Sequence, residues 1–140
     1  MATYNKFEAT VEDLAEAKHN FASDQVAIML SNTAPIATNS IRGDITEITA
    51  ENGYPQFGIA VTPTSSTQTG GIYKLVLPDT TLNATGNIGP FRYIVIYNLS
   101  NSADSYPLIC WFDYGSSISL SNGESFLFDF DDTNGLFQLT

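Results

Sequence analysis

Two strongly apolar runs lie close together in the chain, at residues 91–97 and 108–114. Both are rich in Val, Ile, Tyr, Phe and Trp, whose side chains suit the pleated surface of a β-sheet. The first run is interrupted only by the charge of Arg92. A strand without polar alternation is covered on both faces, so residues 91–97 are predicted to be a central strand. We therefore expect the two runs to form the middle of a β core.

Further short segments with strand character recur along the chain, separated by turns that contain Gly, Asn and Pro. Asn52-Gly53 and Asn122-Gly123 are typical of tight turns, and the second pair is the clearest hairpin signal. This spacing predicts an all-β fold, either a β-sandwich or a jelly-roll-like barrel, and leaves the strand order open. Additional strands are expected at residues 26–31, 41–49 with a bulge, 57–61, 72–77, 80–85, 117–121, 125–130 and 136–139.

Residues 5–20 contain the one segment with helical periodicity. Phe7, Val11 and Leu14 recur at the spacing of one helix face. Thr10 is positioned to cap a helix that begins at Val11, with Asp13 as the acid of a capping box. The alternative is an extended arm that becomes ordered only against a neighbour.

The length of 140 residues suits one domain, and we divide it into an N-terminal helix or arm, residues 1–22, and a single β-sandwich domain, residues 23–140. The formal net charge is -10, which disfavours binding to nucleic acid and to anionic membranes. Neither a secretory signal nor an apolar run of membrane-spanning length is evident, so synthesis in a cytosol is expected. The lone Cys110 lies in an apolar run and is expected to be a buried, inert thiol.

The sequence offers little for catalysis or for binding a cofactor. His19 is the only histidine, so neither a zinc site nor a catalytic triad is indicated. Asp113, Glu124 and Asp129 would be the carboxylates of a glycan hydrolase, but the pattern favours outward-facing strand residues. Trp111 is expected in the core. We therefore predict no enzymatic activity and no cofactor.

Residues 129–135 look like a calcium-binding loop at first sight. Thr133 stands where the calcium pattern requires Asp or Asn, and no closing Glu follows. A solvated turn centred on Asn134-Gly135 is therefore the favoured interpretation, and no metal site is predicted.

Several stretches of the chain together resemble a family of short phage and prophage virion proteins. They are YNKFEATVEDLAEAKHNF, LSNTAPIATNS with DITEITAENGY, GPFRYIVIYN and LICWFDYGSSISLSNGESF. The resemblance covers most of the chain and includes no catalytic signature. It implies a capsid decoration (cement) protein that binds and stabilises the assembled shell. The expected partners are the major capsid protein and further copies of the chain, as a homotrimer. The expected location is the capsid surface of a virion, after synthesis in the bacterial host cytoplasm.

Two segments are candidates for contact surfaces under this resemblance. The N-terminal segment is expected to contact the capsid or a neighbour through Tyr4, Phe7, Val11 and Leu14. The polar segment 62–71 is expected to be an exposed loop or hairpin tip, with Thr64, Ser65, Ser66 and Thr67 as its candidate loop residues. The alternative role is a module of the tail, baseplate or fibre that binds a host glycan or receptor. Its aromatic contacts would come from Tyr54, Tyr97, Tyr106 or Tyr114.

Overall fold

The computed structural model describes residues 2–140, which form a mostly β structure with one α-helix near the N-terminus. The elements in chain order are β1 Thr3–Lys6, α1 Ala9–Ala15, β2 Val26–Ser31, a 3₁₀ turn Arg42–Asp44, β3 Ile59–Val61, β4 Ser65–Thr69, β5 Ile72–Val76, β6 Thr80–Asn83, β7 Ile88–Asn98, β8 Leu108–Leu120, β9 Ser125–Phe128 and β10 Phe137–Leu139. The strands form antiparallel sheets in a sandwich-like arrangement, which confirms the predicted all-β class with a short N-terminal helix.

The two apolar runs form β7 and β8, the longest strands of the fold. The main sheet has the order β1-β8-β7-β2-β3, so β7 is its central strand, as predicted. Ile94 and Ile96 of β7 belong to the cluster on one face, whereas Val95 and Tyr97 belong to the cluster on the other. All four side chains are buried because both faces of the sheet are covered. This double burial explains why the strand shows no polar alternation.

The larger core lies between the main sheet and two smaller sheets, β10-β5-β4 and β6-β9. Phe91, Leu75 and Phe128 meet there, and each is buried. Burying a side chain of this size contributes roughly 1.5–3 kcal/mol. The smaller core covers the opposite face of the main sheet. In it Trp111 packs on Phe7 with 4.5 Å between ring centroids, consistent with the predicted core position of the tryptophan.

The strand expected at residues 117–121 is the end of β8, which continues through Gly115. The turn predicted at Asn122-Gly123 forms, with the Glu124 amide donating to the Ser121 carbonyl at 3.0 Å. It does not close a hairpin, because β8 pairs with β7 and β9 pairs with β6. Turn chemistry reverses the chain locally, whereas packing of the apolar faces decides which strands pair.

The prediction of a strand at residues 41–49 is wrong. The segment contains the 3₁₀ turn Arg42–Asp44, and its β-bridges are the isolated pairs Ser31 with Glu47 and Ile41 with Pro107. The Asp44 carboxylate accepts the backbone N–H groups of Ser40 and Ile41, which holds the turn. Local hydrogen bonds of this kind compete with strand pairing.

The N-terminal helix is real but begins at Ala9, and Thr10 does not cap it. The Thr10 hydroxyl is buried and donates to the carbonyls of Leu108 and Ile109 at the start of β8. Asp13 is buried and forms an ion pair at 3.0 Å with the half-buried Lys18, in place of the predicted capping box. Ahead of the helix, β1 pairs with residues 110–113 of β8, so residues 3–6 belong to the main sheet.

Candidate functional site

The four N-terminal residues predicted to contact a neighbour do not share one surface. Tyr4 on β1 is 39% exposed and Val11 on α1 is 55% exposed. Leu14 is half-buried against the larger core. Phe7 is fully buried in the smaller core. Phe7 is therefore corrected from a contact residue to a structural one, because its side chain presents no surface to a partner.

Tyr4 borders an open apolar depression at the edge of the sandwich, which we call the edge groove. Two adjoining hollows of about 200 and 590 Å³ form it. The aromatic rings of Tyr4 and Phe112 meet edge to face at 5.5 Å, and those of Tyr114 and Phe126 at 5.6 Å. The residues that define the edge groove are Ala2, Tyr4, Phe112, Tyr114, Leu127 and Asp129.

A free backbone edge continues from the same place. β1 pairs with β8 only as far as Asp113, and over residues 2–140 no strand pairs with the later part of β8 on that side. Residues 114–119 are exposed or half-buried, and Tyr114 also lines the edge groove. A strand edge with unpaired N–H and C=O groups is a template for an added strand. The edge groove and this part of β8 therefore form one surface suited to an extended peptide.

Of the two structures expected for the polar segment 62–71, an exposed loop or a hairpin tip, the structure shows the hairpin. Ser65, Ser66 and Thr67 lie within β4 and pair with β5, and the Thr64 amide donates to the Val76 carbonyl at 2.8 Å. Ser66 is half-buried, and its hydroxyl is 2.8 Å from that of Tyr73. The assignment of residues 64–67 to a loop is wrong, because a strand that is polar on both faces has no hydrophobic period to reveal it.

The actual tip of this hairpin is formed by two glycines that join β4 to β5. Both Gly70 and Gly71 have positive φ angles, and no atom lies within 4 Å of a side chain added at either position. The tip of the predicted segment 62–71 therefore lies at Gly70-Gly71, outside the candidate residues 64–67.

A second depression, which the sequence did not indicate, surrounds Arg42. We call it the arginine cleft, and its volume is about 380 Å³. The Arg42 guanidinium lies between two aromatic rings, with its carbon 3.9 Å from the Phe57 centroid and 4.0 Å from the Tyr106 centroid. Such stacking satisfies both faces of the cation. The residues that define the arginine cleft are Arg42, Glu47, Phe57, Ser102, Ser105 and Tyr106.

The backbone around the arginine cleft is strained. Phe57, Ser105 and Tyr106 have φ angles of 69°, 59° and 60°, in the left-handed region that non-glycine residues rarely adopt. The Tyr97 hydroxyl donates to the Phe57 carbonyl, and the Arg42 amide donates to the Tyr106 carbonyl at 3.0 Å. Strained residues that the surrounding structure holds in place are concentrated at functional sites.

The structure separates the four tyrosines that were candidates for glycan contacts. Tyr54 and Tyr97 are buried at 2% and 0% exposure, so neither can contact a glycan. Tyr106 is half-buried in the arginine cleft, and Tyr114 is 42% exposed at the edge groove. Both buried tyrosines have a raised pKa, caused mainly by burial. Two of these four tyrosines are therefore buried and two reach the surface, and the sequence pattern does not distinguish the two groups.

His19 is buried. Its ring stacks on Phe21 at 5.0 Å, and its Nδ1 lies 3.1 Å from the side-chain nitrogen of Asn98. Burial is the main cause of its lowered pKa. The imidazole is thus a neutral member of the core network.

The carboxylates considered for catalysis have structural partners or lie apart. Asp113 pairs with Arg92, and the Arg92 guanidinium holds the pKa of Asp113 below its usual value. The Glu124 carboxylate accepts the Ser121 amide at 2.7 Å, which stabilises the turn between them. Asp129 is exposed at the edge groove. These positions offer no pair of carboxylates facing a common substrate.

The segment that resembled a calcium loop forms a hydrogen-bonded turn. The Asp131 carboxylate accepts the amides of Thr133 and Asn134, both at 2.8 Å. The bonds from Asn134 are the main cause of the lowered pKa of Asp131. Within residues 2–140, no group of three or more His, Cys, Asp or Glu side chains is arranged to hold a metal ion. The same residues include no helix that is long and apolar enough to cross a membrane.

Comparisons with protein-family models, with curated proteins and with solved structures find no match for this chain. The functional interpretation therefore depends on the surfaces described above and on the sequence resemblance.

Proposed function

We propose that this chain is a non-enzymatic phage virion protein that decorates the capsid, binding and stabilising the assembled shell. The observation that carries the proposal is the edge groove, where Tyr4, Tyr114 and Leu127 expose 39%, 42% and 54% of their surface. Grouped exposed apolar side chains mark interaction sites on soluble proteins. The resemblance to short virion proteins supports the choice of a capsid as the partner.

The occupant that fits this surface is an extended segment of the major capsid protein. It would add a strand to β8 beyond Asp113, along the edge that faces away from β7, and place apolar side chains in the edge groove. The chain carries a net charge of -10, and Asp129 and Asp131 lie at the groove. We therefore expect the capsid segment to carry Lys or Arg near its apolar residues. No contact with nucleic acid or membrane is proposed.

The test measures binding of the purified protein to capsid shells assembled without it. In co-sedimentation, Tyr114→Ser and Leu127→Ser should each weaken binding about tenfold, the effect of losing an anchor worth about 1.4 kcal/mol. Ile36→Ser is the matched control, because Ile36 is 60% exposed but lies outside the edge groove. Equal binding by all the variants would overturn the assignment of the groove.

The stabilising role and the oligomeric state have separate readouts. Shells that carry the protein should release their contents at a higher temperature than bare shells, and sedimentation of the free protein should give a trimer. A cryo-electron reconstruction of the particle should place copies over the shell in threefold groups. Density for this chain at the tail alone would overturn the capsid proposal.

A second candidate is a tail, baseplate or fibre module that binds a glycan or receptor on the host. The arginine cleft favours it, since an open depression with aromatic, charged and hydroxyl groups is typical of a small-ligand site. A glycan array probed with the wild type and with Tyr106→Ala tests this role. Tyr114→Ala is the control, because Tyr114 is exposed at the other depression. An array without signal would remove this candidate.

A further inference from the structure

Arg42 is a cation without an ionic partner in a strongly acidic protein. The chain has 5 Lys and Arg residues against 15 Asp and Glu. Within residues 2–140, ion pairs are formed by Lys18 and Arg92, and Arg42 takes part in none. Its sequence neighbour Asp44 is directed to the backbone amides of Ser40 and Ile41. Tyr97 is a further neighbour of the guanidinium, with its ring centroid 5.9 Å away, but no carboxylate among the described residues pairs with this half-buried arginine.

The two aromatic rings determine which part of Arg42 is available. Phe57 and Tyr106 cover the faces of the guanidinium at 3.9 and 4.0 Å, so only its N–H edge remains for hydrogen bonds. That edge presents donors in a planar fork that matches a carboxylate with two parallel bonds. The stacked rings also fix the orientation of the fork before a ligand arrives. Fixing a group in its bound orientation reduces the entropy cost of binding.

The rest of the arginine cleft is suited to hydroxyl groups. Ser102 and Ser105 line it, and Glu47 contributes a carboxylate. One oxygen of Glu47 accepts the Tyr54 hydroxyl at 2.8 Å, which anchors the side chain and leaves its other oxygen to accept from a ligand. Hydroxyl and carboxylate groups of this kind hydrogen-bond to sugar hydroxyls.

We infer that the arginine cleft binds a sugar that carries a carboxylate, with the acid on the Arg42 fork and the ring hydroxyls on Glu47 and the serines. The volume of about 380 Å³ lies within the range of small-ligand sites. This inference deepens the second candidate function, glycan binding, and rests on it for its biological meaning. It is independent of the edge groove and of capsid binding.

The experiment follows the Arg42 side-chain Nε–H and the cleft amides by NMR during titration with a glucuronate-containing oligosaccharide. The matched ligand replaces glucuronate by glucose. The acidic ligand should bind about tenfold more tightly, as expected for one charge-assisted pair. Arg42→Lys should remove most of that difference, because it keeps the charge but loses the planar fork. Arg92→Lys is the control at the other arginine.

A second variant protects the test against a folding defect in Arg42→Lys. Glu47→Gln retains an oxygen for the Tyr54 hydroxyl, so the fold should be preserved. It removes the acceptor for a ring hydroxyl, which affects the acidic and neutral sugars alike, and it removes a negative charge near the ligand carboxylate. The preference for the acidic over the neutral oligosaccharide should therefore be kept or increased. Loss of this preference in Glu47→Gln, at unchanged thermal stability, would contradict the placement of the carboxylate on Arg42.

The outcomes distinguish this inference from glycan binding in general. Equal affinity for the acidic and neutral oligosaccharides would overturn the carboxylate inference and leave glycan binding in place. The last titration uses glucuronate alone. If it shifts the Arg42 Nε–H signal while neither oligosaccharide binds, the carboxylate site stands and the glycan-binding role fails. If glucuronate causes no shift, the inference is overturned.

Discussion

Arg92 and Asp113 join the two central strands of the main sheet through a two-point ion pair. Arg92 Nε lies 2.8 Å from Asp113 Oδ1, and Arg92 Nη2 lies 3.1 Å from Oδ2. The Gly115 amide donates to the same carboxylate at 2.8 Å, just where β8 passes the end of β1. The pair therefore fixes β8 at the start of its free edge.

This ion pair predicts a dependence of stability on acid. The pKa of Asp113 lies below its ordinary value of 3.8, with the Arg92 bond as the main cause. A carboxyl group with a lowered folded-state pKa stabilises the protein above the unfolded-state pKa and loses this effect as the pH falls through the folded-state pKa. In urea unfolding, wild type should exceed Asp113→Asn in stability at pH 6, and the difference should shrink below pH 4. If the difference in the free energy of unfolding between the two proteins stayed constant with pH, it would contradict the role of Asp113 ionisation.

The buried His19 predicts a second dependence of stability on pH, in a higher pH range than that of Asp113. Burial lowers its pKa below 6.5, opposed by Asp13, Asp24 and Asp104 and assisted by Lys18. Protonation would also place an Nδ1–H donor against the Asn98 amide nitrogen. The unfolded chain therefore binds the proton first, and stability should decrease as the pH falls below about 6.5, by about 1.4 kcal/mol per unit of pKa difference.

The measurement for His19 is the free energy of unfolding at intervals from pH 8 to pH 5. His19→Gln should lose this slope, since glutamine retains an acceptor for Asn98 but does not titrate. Asp113→Asn is the matched control, because it should keep the slope in this range. The same slope in His19→Gln and wild type would show that another group is responsible.

The hydrogen bonds of the Tyr54 hydroxyl predict that removing this one oxygen lowers the free energy of unfolding substantially. Its buried hydroxyl accepts the Leu30 amide at 3.0 Å and donates to Glu47 at 2.8 Å. Tyr54→Phe leaves a buried amide of β2 without its partner, which should cost about 1–3 kcal/mol. Tyr114→Phe, at a 42% exposed position, should change stability by less than about 0.5 kcal/mol. Urea unfolding of both variants checks the contrast, and equal effects would contradict it.

Gly58 and Gly115 form a natural pair for separating backbone strain from steric overlap. Their φ angles are +96° and +98°, so alanine is strained equally at both positions. A side chain at Gly58 would overlap the carbonyl of Ile28 in β2, whereas nothing lies within 4 Å at Gly115. Each alanine variant should lose roughly 1–2 kcal/mol from strain, and Gly58→Ala should lose more. Equal melting temperatures would contradict the close approach at Gly58.

The sequence predicted the centre of the fold well because burial determines the pattern there. β7 and β8 are apolar runs, and the faces of β9 follow the alternation of its phenylalanines. The pattern missed β1 and β4 because most of their residues are exposed or half-buried and their positions have no hydrophobic period. Edge strands gain their structure from pairing with a neighbour, which local composition does not encode.

The arginine cleft was missed for a different reason. Arg42 and Phe57 lie far apart in the long connection between β2 and β3, and Tyr106 lies in the connection between β7 and β8, so only the folded chain brings them together. The sequence assigned residues 41–49 to a strand, which would have separated Arg42 from its aromatic neighbours. Tyr106 alone was recognised, as a candidate for glycan contact. Two members of the edge groove were anticipated as contact residues, Tyr4 for a neighbour and Tyr114 for a glycan, but the sequence did not indicate that they lie at one depression.

The Gly70-Gly71 tip of the β4–β5 hairpin has a practical consequence for engineering. The tip is exposed, and both glycines have open space around them. A foreign peptide inserted between them would extend from two paired strands without entering either hydrophobic cluster or either depression. This position is therefore the natural place for an epitope or a fluorescent label, and a particle carrying many copies of the protein would display that insert as a dense array.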